Sequence, residues 1–200
     1  MCGRYYVEPE ATAVEMMGIL AEIRRRYQDS PALPLLKLGE VAPSQISVIL
    51  ANSKSMKQAP FLMKWGYSQN RGGLIINARS ETITEKPMFK ESVHTRRCMI
   101  PANRYFEWQT LEGRKQKYSL FPEDHAFFFM AGIYRPEGPT GVPSFVILTR
   151  DASEGIRHIH PRMPVILPRE MWNEWLNPIV DPRLVLETAI TQIGFEQAAP

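Results

Sequence analysis

Ala126-Phe127-Phe128-Phe129-Met130-Ala131-Gly132-Ile133-Tyr134 is an apolar run of strand length, with large side chains at both odd and even positions. Successive strand residues point to opposite faces, so apolar groups at both parities predict a strand buried on both sides. Such a strand needs partners, and the chain supplies them as short apolar runs divided by turn residues. Residues 46–50, 61–67, 74–78, 98–101, 104–108, 117–121, 144–149 and 163–167 all read as strands.

Helices are fewer. Met16, Ile19, Leu20, Ile23 and Tyr27 recur at helical spacing within residues 11–27, and Pro31 and Pro34 stop that pattern. Residues 84–93 read as a short helix broken early by Pro87, and residues 153–158 as another with Ser153 as a cap. Pro168-Arg169-Glu170-Met171 opens a further helix carrying Trp172 and Trp175. The expected fold is therefore one α+β domain over residues 1–200, with mostly antiparallel strands in a barrel-like sheet and peripheral helices. Its core is expected to span about residues 2–176, with a loosely packed C-terminal tail.

Composition narrows the function classes. The apolar share is 44% and the aromatic share 10%, enough to expect a packed core rather than disorder. No apolar run approaches the roughly 20 residues that span a bilayer, and no signal-peptide pattern opens the chain, so a cytoplasmic protein without membrane contact is expected. Cys2 and Cys98 are too few for a disulfide framework, and the four histidines lack zinc-ligand spacing, so neither a metal nor another cofactor is expected. Net charge is only +3, yet residues 51–118 hold 13 Lys or Arg against five Glu. That asymmetry suits either a positive face for an anion such as nucleic acid or an ordinary solvated surface.

Five places carry candidate chemistry. Met1-Cys2-Gly3-Arg4 sets a cysteine behind a methionine that is normally clipped before a small residue. A free Cys2 amine and its thiol, on one residue, can trap an aldehyde as an imine and then close a thiazolidine ring at high effective concentration. The plain alternative for Cys2 is a small buried hydrophobe. Asn77-Ala78-Arg79-Ser80-Glu81-Thr82 ends an apolar strand: Asn77 and Arg79 read as an orienting amide and a phosphate fork, or the segment as a turn with Ser80 or Thr82 capping a helix. In Asn103-Arg104-Tyr105-Phe106-Glu107-Trp108, strand alternation puts Tyr105 and Glu107 on one face and Phe106 and Trp108 on the other. Apolar surroundings suit Glu107 to proton transfer, unless Arg104 neutralises it as a plain ion pair. His160, between His158 and Pro161-Arg162, titrates near neutrality or is inert in a loop. Met63-Lys64-Trp65-Gly66-Tyr67 reads as a base-stacking platform or a core strand.

Together these islands resemble the SRAP (SOS-response-associated peptidase) family. The match runs in order through Met1-Cys2-Gly3-Arg4-Tyr5, Val41-Ala42-Pro43, Trp65-Gly66-Tyr67, Asn77-Ala78-Arg79-Ser80-Glu81-Thr82, Met88-Phe89-Lys90 and Arg97-Cys98-Met99-Ile100-Pro101. It continues through Tyr105-Phe106-Glu107-Trp108, residues 129–134, residues 145–149 and Ile159-His160-Pro161-Arg162-Met163-Pro164. The resemblance implies a sensor of abasic sites in single-stranded DNA that crosslinks to the opened sugar through Cys2, with associated lyase-like and thiol autopeptidase chemistry. It implies catalytic roles for Cys2, Asn77, Glu107 and His160, and DNA contacts by Arg4, Trp65, Arg71, Arg79 and Arg162. A monomer, nucleoid-associated in a bacterium, is expected. Family members often carry exposed aromatics after the Trp-Gly-Tyr segment. Here Ser68-Gln69-Asn70-Arg71-Gly72-Gly73 has no ring, so wedging at a strand junction is not expected from it, and Arg71 is expected to substitute by charge or by stacking.

Two other classes share parts of this pattern. An N-terminal-nucleophile amidohydrolase of the glutamine-amidotransferase kind also begins Met-Cys-Gly and uses the thiol on an amide. A non-catalytic single-stranded-DNA binder would use only the aromatics and the basic face.

Overall fold

A computed structural model of the chain describes residues 2–10, 14–69, 72–137 and 141–199. In chain order the first half runs β1 (Arg4–Val7), α1 (Val14–Arg26), β2 (Gly39–Val41), β3 (Ile46–Asn52), β4 (Gln58–Trp65), β5 (Tyr67–Ser68), β6 (Leu74–Ile75), β7 (Asn77–Arg79), α2 (Pro87–Thr95) and β8 (Arg97–Ala102). The second half runs β9 (Arg104–Leu111), β10 (Arg114–Pro122), β11 (Phe128–Arg135), β12 (Ser144–Asp151), β13 (Arg162–Pro164), β14 (Ile166–Leu167), α3 (Trp172–Leu176), α4 (Pro182–Glu187) and β15 (Ile193–Gln197).

The run that opens the sequence reading is β11, whose Phe128 to Ile133 are all buried. It pairs with β8 along one edge and with β12 and β14 elsewhere. Strands β12, β4, β3, β8 and β11 close on themselves as a ring. The ring is uneven: β3 and β4 pair from Ile46↔Lys64 to Asn52↔Gln58, whereas β12 and β4 meet only at Ser144↔Lys64 and Phe145↔Trp65, in parallel. A second sheet, in the order β15-β10-β9-β1-β2, packs beside it. The expected barrel-like α+β domain with peripheral helices is the architecture observed.

Gly132 lets the ring close at β11. A Cβ there would meet the Val146 backbone oxygen at 2.8 Å, with the Ile100 side chain nearer still. Trp65 stacks on Phe145 with ring centroids 6.3 Å apart and meets Tyr5 at 5.1 Å, tying both sheets into one core. Among the described residues no helix is long and apolar enough to cross a membrane.

Three expectations need correction. Pro87 does not break a helix begun at residue 84; it starts α2, because the first turn has no intrahelical acceptor to lose and proline's fixed φ suits it. The segment after residue 176 is not a loose tail. Asp181 caps α4 by accepting from the Arg183 amide at 2.9 Å, Val185 and Leu186 are buried, and β15 adds to β10 from Tyr118↔Gln197 to Pro122↔Ile193. Each piece there is too short for periodicity to reveal it. The 3-10 turn at Ser80–Thr82 carries no side-chain cap, so the capping reading of that segment is not realised.

Candidate functional site

Strand β12 organises the site. Along one side β11 gives way to β13, and along the other β4 gives way to β7, with Ile147↔Asn77 and Thr149↔Arg79 in parallel register. Asn77 and the residues around Arg162 therefore flank one strand. Strand β1 brings the N-terminal segment alongside β9, with Arg4↔Phe106 and Tyr5↔Tyr105 in register. These two pairings gather side chains far apart in the sequence.

Cys2 is fully buried, and its thiol donates to the Arg4 carbonyl at 3.7 Å. The Asn77 side-chain amide donates to the Cys2 carbonyl at 2.9 Å. Burial pushes the Cys2 thiol far above its ordinary value, and the nearby Glu107 carboxylate adds to that shift. The thiol is therefore neutral at rest and needs a base when it acts.

Glu107 is 3% exposed, and burial pushes its carboxyl up to about 7. Both protonation states are thus populated near neutrality, the condition for a group that gives and takes protons. His160 Nδ1 lies 3.8 Å from Glu107 Oε1. The same nitrogen sits 3.0 Å from the Arg162 amide, which donates to it in the neutral ring protonated at Nε2, and 3.0 Å from the Arg162 carbonyl. Burial lowers the pKa of His160, which favours that neutral form.

The structure brings Cys2, Asn77, Glu107 and His160 together. Arg104 does not neutralise Glu107; it pairs with Glu196 at 2.8 Å and lies over Phe121. His158 meets Phe195 edge-on instead of joining the cluster. Lys117 lies over both Phe106 and Trp108, on the strand face opposite Glu107.

The family profile described as SOS response associated peptidase (SRAP) matches residues 1–196. This chain belongs to the SRAP family. It is 37% identical over 147 residues to the abasic site processing protein YoaM of Bacillus subtilis, covering 69% of this chain and 65% of YoaM, a little under two thirds of that relative. It is 26% identical over 193 residues to the abasic site processing protein YedK of Escherichia coli, covering 94% of this chain and 85% of YedK. A phage-related protein from Bordetella bronchiseptica superposes with a TM-score of 0.77 at 24% identity, over 100% of this chain and 95% of that one. A protein from Bacteroides thetaiotaomicron superposes at 0.76 and 24%, over 99% and 92%. At such identity these two show the fold alone.

The cations and Trp65 of this SRAP chain sit in different surroundings from one another. Arg79 is exposed and lines a cavity of about 590 Å3 that also holds Asn77, Lys86, Phe89 and Thr149. Arg4 is half-buried; it donates to the Gly3 carbonyl at 2.8 Å and shares Glu40 with Lys117. Trp65 is no surface platform: it is fully buried and donates its indole N–H to the Ile76 carbonyl at 2.9 Å, because the core needs its bulk between the sheets. Arg162 is not an open phosphate clamp either. Its guanidinium binds Glu81 at 2.7 Å, Asp151 at 2.6 Å and the Thr149 carbonyl at 2.7 Å. Arg71 lies outside the described residues.

Sequence reading missed Tyr105. Its buried hydroxyl has no hydrogen-bond partner among the described residues, and burial, with Cys2 and Glu107 nearby, pushes its pKa well above the ordinary value. The strand alternation that pairs it with Glu107 is the signal that points to it.

Proposed function

We propose that this chain processes abasic sites in single-stranded DNA by covalent capture at Cys2, as the names of its relatives suggest for the family's target. Once Met1 is removed, the Cys2 amine attacks the C1′ aldehyde of the opened sugar. The carbinolamine loses its hydroxyl as water, leaving an imine. The thiol sulfur then adds to the imine carbon while its proton passes to the imine nitrogen, and the thiazolidine closes with no oxidant or metal.

The neutral carboxyl of Glu107 protonates the departing hydroxyl, and its carboxylate then removes the thiol proton. Asn77 fixes the Cys2 carbonyl and hence both nucleophiles. His160, mostly neutral, relays protons at the sugar beside Glu107. Arg79 takes a backbone phosphate from the adjacent cavity. The peptidase in the family's description fits a thiol-dependent cleavage before Cys2. There Sγ attacks the preceding carbonyl, the amine leaves with a proton from Glu107, and water hydrolyses the thioester.

One observation carries this reading: a buried Cys2 held by Asn77 at 2.9 Å beside a carboxyl that titrates near pH 7. The test is incubation with an abasic single-stranded oligonucleotide, followed by denaturing electrophoresis and mass spectrometry. A linkage on Cys2 that Cys2→Ala loses is expected. A wild-type level of adduct in Cys2→Ala, or ammonia release from glutamine with no adduct, overturns it.

A further inference from the structure

A second cavity, of about 550 Å3, opens where the ends of α1, α2 and α3 meet the β3–β4 hairpin. None of the residues that line it belongs to the Cys2 cluster. Its cationic lining is Arg26, Lys54 and Arg97, with the imidazole of His94 beside them, and among the described residues that line it there is no carboxylate. Phe61 and Tyr134, both half-buried, supply aromatic wall. From these observations we propose that this cavity is a binding site for a nucleoside phosphate, separate from the cysteine centre.

The argument starts with Arg97, which is 4% exposed. Its guanidinium donates only to carbonyls: Val93 at 2.6 Å, Trp175 and Asn177 at 3.2 Å, and Val180 at 2.7 Å. Carbonyl dipoles satisfy its hydrogens without cancelling its charge, so a full positive charge sits in the cavity floor. Among the described residues the carboxylate whose charge reaches Arg97 is Asp181, and Arg183 holds both of its oxygens.

At the rim, neither the Arg26 nor the Lys54 side chain is hydrogen-bonded to a described residue. Arg26 lies over the Phe61 ring at 4.6 Å. A guanidinium resting on a ring keeps its outer face and its N–H edge available for a planar base or a phosphate oxygen. Lys54 and His94 provide further donors, and the volume falls in the range of small-ligand sites. Cations facing a partly apolar hollow match a ligand with an anionic end and a flat end.

Calorimetric titration of the full chain at low salt, with adenosine 5′-monophosphate, inorganic phosphate and adenosine as separate ligands, tests this. One-to-one binding of the monophosphate, at least about tenfold tighter than either fragment, is expected. Arg26→Glu with Lys54→Glu, both exposed positions, should weaken it by a further factor of roughly ten or more while folding and reaction at Cys2 stay unchanged. A 5′-phosphorylated oligonucleotide binding more tightly, and equally dependent on those two residues, assigns the ligand to a strand end; the reverse order assigns it to a free nucleotide. The proposal is overturned if the monophosphate shows no binding up to about 10 mM, binds no tighter than phosphate, or binds the double variant as well as wild type.

Discussion

The side chain of Asn77, on the strand beside β12, holds the main-chain carbonyl of Cys2 at 2.9 Å across 75 residues of sequence. One hydrogen bond thus fixes the residue that carries both proposed nucleophiles. Asn77→Ala removes the donor and leaves a buried carbonyl unsatisfied, a loss of about 1–3 kcal/mol. The expected result is a roughly tenfold or greater fall in the rate of adduct formation on an abasic oligonucleotide. Single-turnover kinetics by denaturing gel would show it, and an unchanged rate would remove Asn77 from the machinery.

Glu107 carries a stability signature independent of any substrate. Its carboxyl holds its proton to about pH 7 when folded, against 4.5 ordinarily, because burial disfavours the charge. The folded state therefore binds more protons between those values, and stability falls as pH rises through that window. The loss is on the order of 3 kcal/mol and levels off above pH 7. Urea unfolding of wild type against Glu107→Gln across pH 4 to 8 should show this slope in wild type and its loss in the variant. Adduct formation should likewise follow an apparent pKa near 7 that Glu107→Gln abolishes.

Gly132→Ala tests the ring closure. The added methyl meets the Val146 carbonyl at 2.8 Å and the Ile100 side chain closer. Overpacking of this kind costs about 1–3 kcal/mol, so the thermal midpoint should drop by several degrees. A midpoint equal to that of wild type would show that β11 and β12 have slack.

Much of this was legible in the sequence because long apolar strands advertise themselves. The run 126–134 reads as a central strand, and β11 is one. Cys2, Asn77, Glu107 and His160 stand out as polar or reactive groups in apolar settings, and they converge. What stayed hidden depends on pairing across the fold. Trp65 reads equally as a platform or as core until Tyr5 and Phe145 close over it. Arg162 looks like a free cation until Glu81 and Asp151 arrive from other segments. β15 shows no periodicity of its own and exists because β10 offers it an edge.

Arg79 and Arg162 were alike in the sequence and are opposite in the structure, which gives a paired test. Arg79 is exposed beside Asn77, and among the described residues its guanidinium has no hydrogen bond or ion pair, so it is free to neutralise one phosphate. Arg79→Ala should reduce the salt dependence of single-strand binding by about 0.7 in log–log slope, with little change in stability. Arg162 is 13% exposed and joins the 80–82 turn to β12 through two carboxylates. Arg162→Gln leaves both carboxylates without their cation; because Glu81 and Asp151 are both solvent-exposed, it should cost only about 1 kcal/mol of stability, and leave the salt slope unchanged. Denaturant midpoints and binding isotherms at several salt concentrations separate the two. A lowered slope in Arg162→Gln without destabilisation would mean that DNA displaces Glu81 and Asp151 from the guanidinium.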